Sequence, residues 1–178
     1  TNKHGMEIIG EIPRYVALDR ADVRSHREQF QLCETGEPAV VAGCPPDAFS
    51  ATGQLWGNPI YDWNYLEETN YQWWISRIKH SLKPYDVIRI DHFRGFEAYW
   101  SVPNGEKTAE SGEGVKGPEM KLFDAIKREL GEVDIIAEDL GFLTKETIEF
   151  REKSGFPGMK VLAFAFSGES QNLYLPHN

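Results

Sequence analysis

The run Val87-Ile88-Arg89-Ile90-Asp91-His92-Phe93 sets a cation and an acid two residues apart in an otherwise apolar stretch. Read as a β-strand, it points Arg89 and Asp91 to one face, because side chains alternate with period two. A guanidinium beside a carboxylate favours the charged acid. Asp91 is therefore expected to serve as a nucleophile, a metal ligand or one half of a structural ion pair. A second run, Asp134-Ile135-Ile136-Ala137-Glu138-Asp139-Leu140, again ends in acids. Glu138 shares a face with Ile136 and Asp139 points the other way, so the two acids are not expected to do the same job. Glu138 suits a general acid, provided that it holds a proton near neutrality. Capping the following turn is the simpler role open to both, and especially to Asp139.

Two carboxyl groups on neighbouring strands suit glycosidic-bond cleavage, one attacking or stabilising the anomeric carbon while the other protonates the leaving oxygen. Retaining enzymes hold such a pair roughly 5 Å apart. Adjacent strands lie about 4.8 Å apart, so that geometry is within reach. The oxygens of Asp91, Glu138 and Asp139 also suit Mg²⁺, and on the residues alone both chemistries stay open. Residues 43–59, GCPPDAFSATGQLWGNP, favour a sugar over a phosphate. They carry Phe49 and Trp56 among Ser50, Thr52, Gln54 and Asn58, with no Lys or Arg. Flat rings stack on the apolar face of a sugar while amides and hydroxyls bind its hydroxyl groups. A rigid surface loop with a core tryptophan is the plainer reading of the same stretch.

Such residues need elements to hold them. Four strand-like runs, 7–17, 86–93, 134–140 and 159–166, are rich in Ile, Val and Phe and bounded by Gly, Pro or acidic residues. Helical patterns alternate with them. Trp74, Ile78 and Leu82 repeat at helical spacing, and Leu122, Phe123, Ile126 and Leu130 share one face of 119–130. Thr144 reads as an N-cap, with Glu146 in the first turn and Leu143 and Ile148 at the staple positions. Gly155 and Pro157 form the stop. This alternation implies an α/β fold of parallel strands with crossover helices. Neither GxGxxG nor GxxxxGK[ST] occurs, which disfavours a nucleotide-binding open sheet. Acids at the C-terminal ends of strands favour a barrel. Residues 103–118, rich in Gly, Glu and Ser, read as an excursion between strand and helix.

Composition removes other classes. The chain has 178 residues, 19 Lys+Arg against 28 Asp+Glu, and a formal charge of −9. That balance argues against non-specific binding to nucleic acid or an anionic membrane. No run of 18 apolar residues exists, and the start, Thr1-Asn2-Lys3-His4, does not read as a signal peptide. Two cysteines, Cys33 and Cys44, make neither a disulfide framework nor a metal spacing, so a cytoplasmic setting is the default. An apolar run begins at Ile8 and the last residues are Leu175-Pro176-His177-Asn178. The chain is therefore expected to be a piece of something longer.

Taken together, the motifs resemble amylomaltase, the 4-α-glucanotransferase (disproportionating enzyme) family, glycoside hydrolase family 77 of the α-amylase clan. The stretches that carry the resemblance are Gly10-Glu11-Ile12-Pro13, Val40 to Gly43 with Pro45-Pro46-Asp47, and Ser50 to Trp63. They continue in Arg89 to Trp100 (RIDHFRGFEAYW), Ala137-Glu138-Asp139-Leu140-Gly141, Pro157 to Leu162, and Leu175 to Asn178. The resemblance implies an internal part of a (β/α)8 TIM barrel over residues 1–178, about strands 3 to 6 with intervening helices and loops. It implies retaining transfer of 1,4-α-glucan segments between malto-oligosaccharides or starch-derived glucans, without metal or organic cofactor. Asp91 falls on the nucleophile, Glu138 on the acid/base and Arg89 on the arginine that keeps the nucleophile ionised. His92, Glu11, Asp47, Gln54, Trp56 and Asp139 fall on substrate-contacting positions, and 43–59 on the loop over the acceptor side of the cleft. A cytoplasmic location follows, or a plastid one in a plant.

The chain also departs from this pattern. Glu11 stands where Asp is usual, Ala48 where Tyr is, Arg14 where an aliphatic residue is, Gly114 where Trp is and Ala163 where Gln is. The family's third carboxylate lies in a His-Asp motif downstream of the proline-histidine-asparagine at 176–178. The isolated polypeptide is therefore expected to have negligible transferase activity and to self-associate. A non-catalytic glucan-binding piece and a hydrolase are the alternative classes.

Overall fold

A computed structural model of the chain describes residues 4–48, 50–141 and 143–167. Its strands are β1 (Ile9–Ile12), β2 (Val40–Cys44), β3 (Gln54–Pro59), β4 (Val87–Ile90), β5 (Ala98–Pro103), β6 (Glu113–Lys116) and β7 (Ile135–Ala137). The helices are α1 (Ala21–Ser25), α2 (Trp63–Glu68), α3 (Gln72–Ser81), α4 (Met120–Leu130) and α5 (Lys145–Ser154). The result is a mixed α/β fold with one parallel and one antiparallel sheet. Among the described residues, no helix is long and apolar enough to cross a membrane.

The parallel sheet has the order β1-β4-β7, in the register Gly10↔Ile88↔Ile135 and Ile12↔Ile90↔Ala137. Its alternation is the expected one. Ile12, Ile88, Ile90, Ile135 and Ala137 are buried in the core, while Glu11, Arg89 and Ile136 take the opposite face. Trp74, Ile75 and Ile78 of α3, Leu122, Phe123 and Ile126 of α4, and Phe150 of α5 belong to the same core. Gly10 is required by packing, because a Cβ there would lie 2.0 Å from the ring of Tyr85.

The helix boundaries follow local chemistry. The Thr144 hydroxyl accepts from Thr147 N–H at 3.2 Å, and Gly155 ends α5 with φ +73°. Ile148, the expected staple partner of Leu143, is exposed, so the hydroxyl cap is what marks this helix start.

Three of the four expected strands are present in shortened form, and the fourth is not a strand. Residues 162–167 form a 3₁₀ helix, with Phe166 left 79% exposed. The backbone donors there go elsewhere. Met159 N–H donates to Asp139 Oδ1 at 2.9 Å and Phe164 N–H to Val161 C=O at 2.9 Å; Ala137 N–H meets the segment at Pro157 C=O.

The antiparallel sheet, of order β3-β2-β5-β6, has no counterpart in the expectations. Residues 43–59 are a hairpin whose flanks belong to β2 and β3, with the irregular part at 45–53, rather than one long loop. The excursion at 103–118 likewise contains β6. Phe49 and the 175–178 motif lie outside the described residues.

Glu97 joins the two halves. It is 5% exposed, and its carboxylate accepts from Lys116 Nζ at 2.5 Å and from the Thr147 hydroxyl at 3.4 Å. Changing Lys116 to Met is expected to cost about 2 kcal/mol, because it strands a buried carboxylate. The double change Lys116→Met with Glu97→Leu should recover most of that loss. Urea midpoints of the two variants check it, and equal losses would contradict the pairing.

Candidate active site

The C-terminal ends of the parallel strands bring the chemistry together. Beyond Ile90↔Ala137, Glu138 N–H donates to Ile90 C=O at 3.0 Å and Phe93 N–H to Glu138 C=O at 3.2 Å. The ladder thus carries Asp91 and Glu138 to the same level on adjacent strands. Period two gives Asp91 the face of Arg89, and the contact is direct: Arg89 Nη2 lies 2.9 Å from Asp91 Oδ1. Its Nη1 lies 3.0 Å from Glu11 Oε2, across the β1–β4 register Glu11↔Arg89. One guanidinium thus holds two carboxylates, while its Nε–H meets the sulfur of Met159 at 3.2 Å.

Glu138 is held by backbone. Its Oε2 accepts from His92 N–H and its Oε1 from Leu140 N–H, both at 2.8 Å. The Leu140 bond is a turn cap, the simpler role open to this acid; the His92 bond binds it to the strand that carries Asp91. His92 stands in the left-handed region at φ +51°, which turns the chain sharply after Asp91. Its imidazole meets the Trp56 indole edge-on, with ring centroids 4.9 Å apart. Burial, and then the positive charges of Arg14 and Arg94, pull the imidazole down to about 3, so the ring is neutral at physiological pH.

Trp56 reaches His92 because β3 pairs with β2, and Gln54 lies on the same face of β3 two residues earlier. The Trp56 indole N–H donates to Gln54 Oε1 at 3.1 Å. Asn58, next on that face, donates to Val16 C=O at 3.0 Å. Two of the expected contact residues stand apart from this group. Asp47 accepts from Ser50 N–H at 2.8 Å and shapes the 47–50 turn. Asp139, on the other face of β7's end, accepts from Met159 N–H and pairs with Arg151 Nε at 3.2 Å, tying α5 to the segment after Pro157. These bonds engage both carboxylate oxygens of Asp139 with protein partners.

A cavity of about 200 Å³ opens beside Asp91, lined by Arg14, Tyr15, Trp56, Asn58 and His92. Larger hollows lie away from these acids. Sequence reasoning named Asn58 only among the amides of 43–59 and did not place Arg14 or Tyr15 in the site. Their signal was position only, two and three residues beyond Ile12 for Arg14 and Tyr15 and the alternation Gln54, Trp56, Asn58 for Asn58. Among the described residues, no group of three or more His, Cys, Asp or Glu could hold a metal ion. The arrangement offers an arginine-clamped carboxylate, a second carboxyl group one strand away and an aromatic wall over a small cavity.

Compared with known proteins, residues 1–178 match the glycoside hydrolase family 77 profile, described as 4-alpha-glucanotransferase. A 4-alpha-glucanotransferase of Clostridium butyricum is 65% identical over 178 residues, covering 99% of this chain and 37% of the relative. One from Streptococcus pneumoniae is 56% identical over 176 residues, covering 99% and 35%. The solved structure of amylomaltase from Streptococcus agalactiae in complex with acarbose superposes with a TM-score of 0.93 at 43% identity, covering 99% of this chain and 36% of that one. The chain thus spans about a third of the length of the curated relatives it matches.

Proposed function

Because the chain belongs to the 4-alpha-glucanotransferase family, we propose that the protein it forms part of transfers 1,4-α-glucan segments between malto-oligosaccharides by a retaining, two-step route. The observation that carries this reading is the level placement of Asp91 and Glu138 on adjacent parallel strands, with Arg89 clamped on Asp91. In the first step an Asp91 oxygen attacks the anomeric carbon and the glycosidic C–O bond breaks. Glu138 gives its proton to the leaving oxygen, and a glycosyl ester on Asp91 remains. In the second step Glu138 takes the proton of an acceptor hydroxyl, whose oxygen displaces Asp91. Arg89 positions the nucleophile, and its bond to one Asp91 oxygen leaves the other for attack.

Trp56 and His92 form an apolar wall against which a glucose ring packs, with Gln54 and Glu11 as polar contacts at its rim. The hairpin at 43–59 covers the acceptor side and disfavours water relative to an incoming sugar hydroxyl. The three parallel strands are read as part of a (β/α)8 barrel. Asp47 and Asp139 support the site through the turns they close. The third carboxylate of the constellation is assigned to residues outside those described, and the 178-residue polypeptide alone is expected to turn over negligibly. Free thiols at Cys33 and Cys44 suit a reducing compartment, the cytoplasm or a plastid.

Products from maltotriose test the class: glucose together with longer oligomers means transfer, while glucose and maltose without longer oligomers would mean hydrolysis. A 5-fluoro glycosyl fluoride tests the route in the whole protein. The expected result is a mass increase on the peptide containing Asp91; an adduct on another residue would overturn the assignment.

A further inference from the structure

Trp100 stands in β5 between two glycines. Across the ladder its partner is Gly43 of β2 on one side and Gly114 of β6 on the other. Along its own strand the next residues on the same face are Ala98 and Val102. Three of these four neighbours therefore carry no more than a methyl group. Cross-strand partners normally supply the side chains that cover an aromatic ring in a sheet. Here the indole packs against the small cluster of Val41, Val102 and Ala109 and also lines a cavity of about 210 Å³, with Gly43, Cys44, Ala98 and Gly114. Its edge is fixed, because Trp100 Nε1–H donates to Ala109 C=O at 2.8 Å.

The two glycines differ. A Cβ on Gly43 would lie 2.5 Å from the Gln54 carbonyl oxygen, so packing demands glycine there. A Cβ on Gly114 would meet nothing within 4 Å, and its φ lies outside the left-handed region. Neither packing nor backbone conformation requires glycine at 114. An ordinary strand side chain there would stand beside the Trp100 indole and take up the space.

The cavity meets the candidate active site at His92, which lines both it and the hollow beside Asp91. Cys44 and Pro45 place it at the start of the irregular part of the 43–59 hairpin. It is smaller than the roughly 300–1,000 Å³ of drug-sized ligand sites and suits one sugar ring. We propose, resting on the glucan-transfer reading of the cleft, that this cavity is a further subsite for a single glucosyl unit of the acceptor glucan, stacked on Trp100, and that Gly114 keeps it open. A flat indole packs against the apolar face of a pyranose, and Arg94 in the same wall is a donor for its hydroxyls.

The test is maltose binding to the whole protein carrying Asp91→Asn, which holds sugar without turning it over, compared with the same protein carrying Gly114→Phe as well. Phenylalanine fills the cavity and pairs with Trp100 across the strands, so the thermal midpoint should rise. In calorimetric titration the double variant should bind maltose about fivefold or more weakly, the effect of losing one stacking contact. Crystals of the Asp91→Asn protein soaked in maltose should show a pyranose ring on Trp100. Equal maltose affinity in the two proteins, even with a ring in the soaked crystal, would mean binding at crystal concentration only and would overturn the subsite. If the Gly114→Phe protein does not fold, the soaked crystals decide, and sugar confined to the cleft beside Asp91 refutes the proposal. Failure of the transfer reading is told apart with maltotriose, since a protein that yields no longer oligomers can still bind maltose at Trp100.

Discussion

Asp91→Asn is expected to lower glucan transfer from maltotriose by about 10⁴-fold or more, the scale seen when a nucleophile that works as part of a unit is removed. The amide keeps the size of the side chain but cannot form the glycosyl ester. It also breaks the charge-assisted bond with Arg89 at 2.9 Å. Stability should move little, since Arg89 keeps its second carboxylate, Glu11, at 3.0 Å. Initial rates of glucose release by the whole protein, together with its urea midpoint, separate the two effects. A variant that retains a tenth of the rate would remove Asp91 from the nucleophile's role. Exogenous azide is the complementary check in Asp91→Gly, where the vacated side-chain space lets a small anion reach the anomeric carbon and restore bond cleavage.

The second large effect is a pH dependence set by His92. Its imidazole lies at about 3 in the folded chain, against about 6.5 in an unfolded one. Above pH 6.5 the ring is neutral in both states, and its contribution to stability is complete. As the pH falls below 6.5 the unfolded chain takes up a proton that the folded chain refuses, so stability is lost progressively until pH 3. The loss from this one group is about 2 kcal/mol between pH 6.5 and 5. His92→Asn should flatten that part of the acid limb, since asparagine tolerates the left-handed backbone at φ +51° and does not titrate. Urea midpoints of both proteins at pH 7.5, 6 and 5 give the comparison. Parallel curves would show that other groups carry the acid limb.

Legibility from sequence tracks how local the deciding interaction is. Arg89 and Asp91 were placed on one face by period two alone, and the observed ion pair lies within that strand and its end. Thr144 and Gly155 marked α5 because caps are short-range chemistry. The antiparallel sheet was hidden because its pairings are long-range. β2 meets β5 in the register Val41↔Val102, about sixty positions along the chain, and β6 is a four-residue EGVK with no apolar alternation. The apolar run at 159–166 looked like a strand, but composition says nothing about where its backbone donors go, and Met159 N–H goes to Asp139. Glu138 was legible as a strand-end acid, while its two backbone donors required the turn at His92 to be known. Arg14 was visible as an odd residue type, and only packing shows its guanidinium buried among the rings of Tyr15, Phe96 and Tyr99.

The buried Glu97 carboxylate has a mechanical consequence. Its partners are Lys116, in the outermost strand of the antiparallel sheet, and Thr147, in the first turn of α5 behind the parallel sheet. A tug on β6 is therefore passed through one side chain to the helical layer. Asp91 and Glu138 stand at the strand ends of the sheet that this helix packs behind, so one buried carboxylate links the outer edge of one sheet to the layer supporting the other.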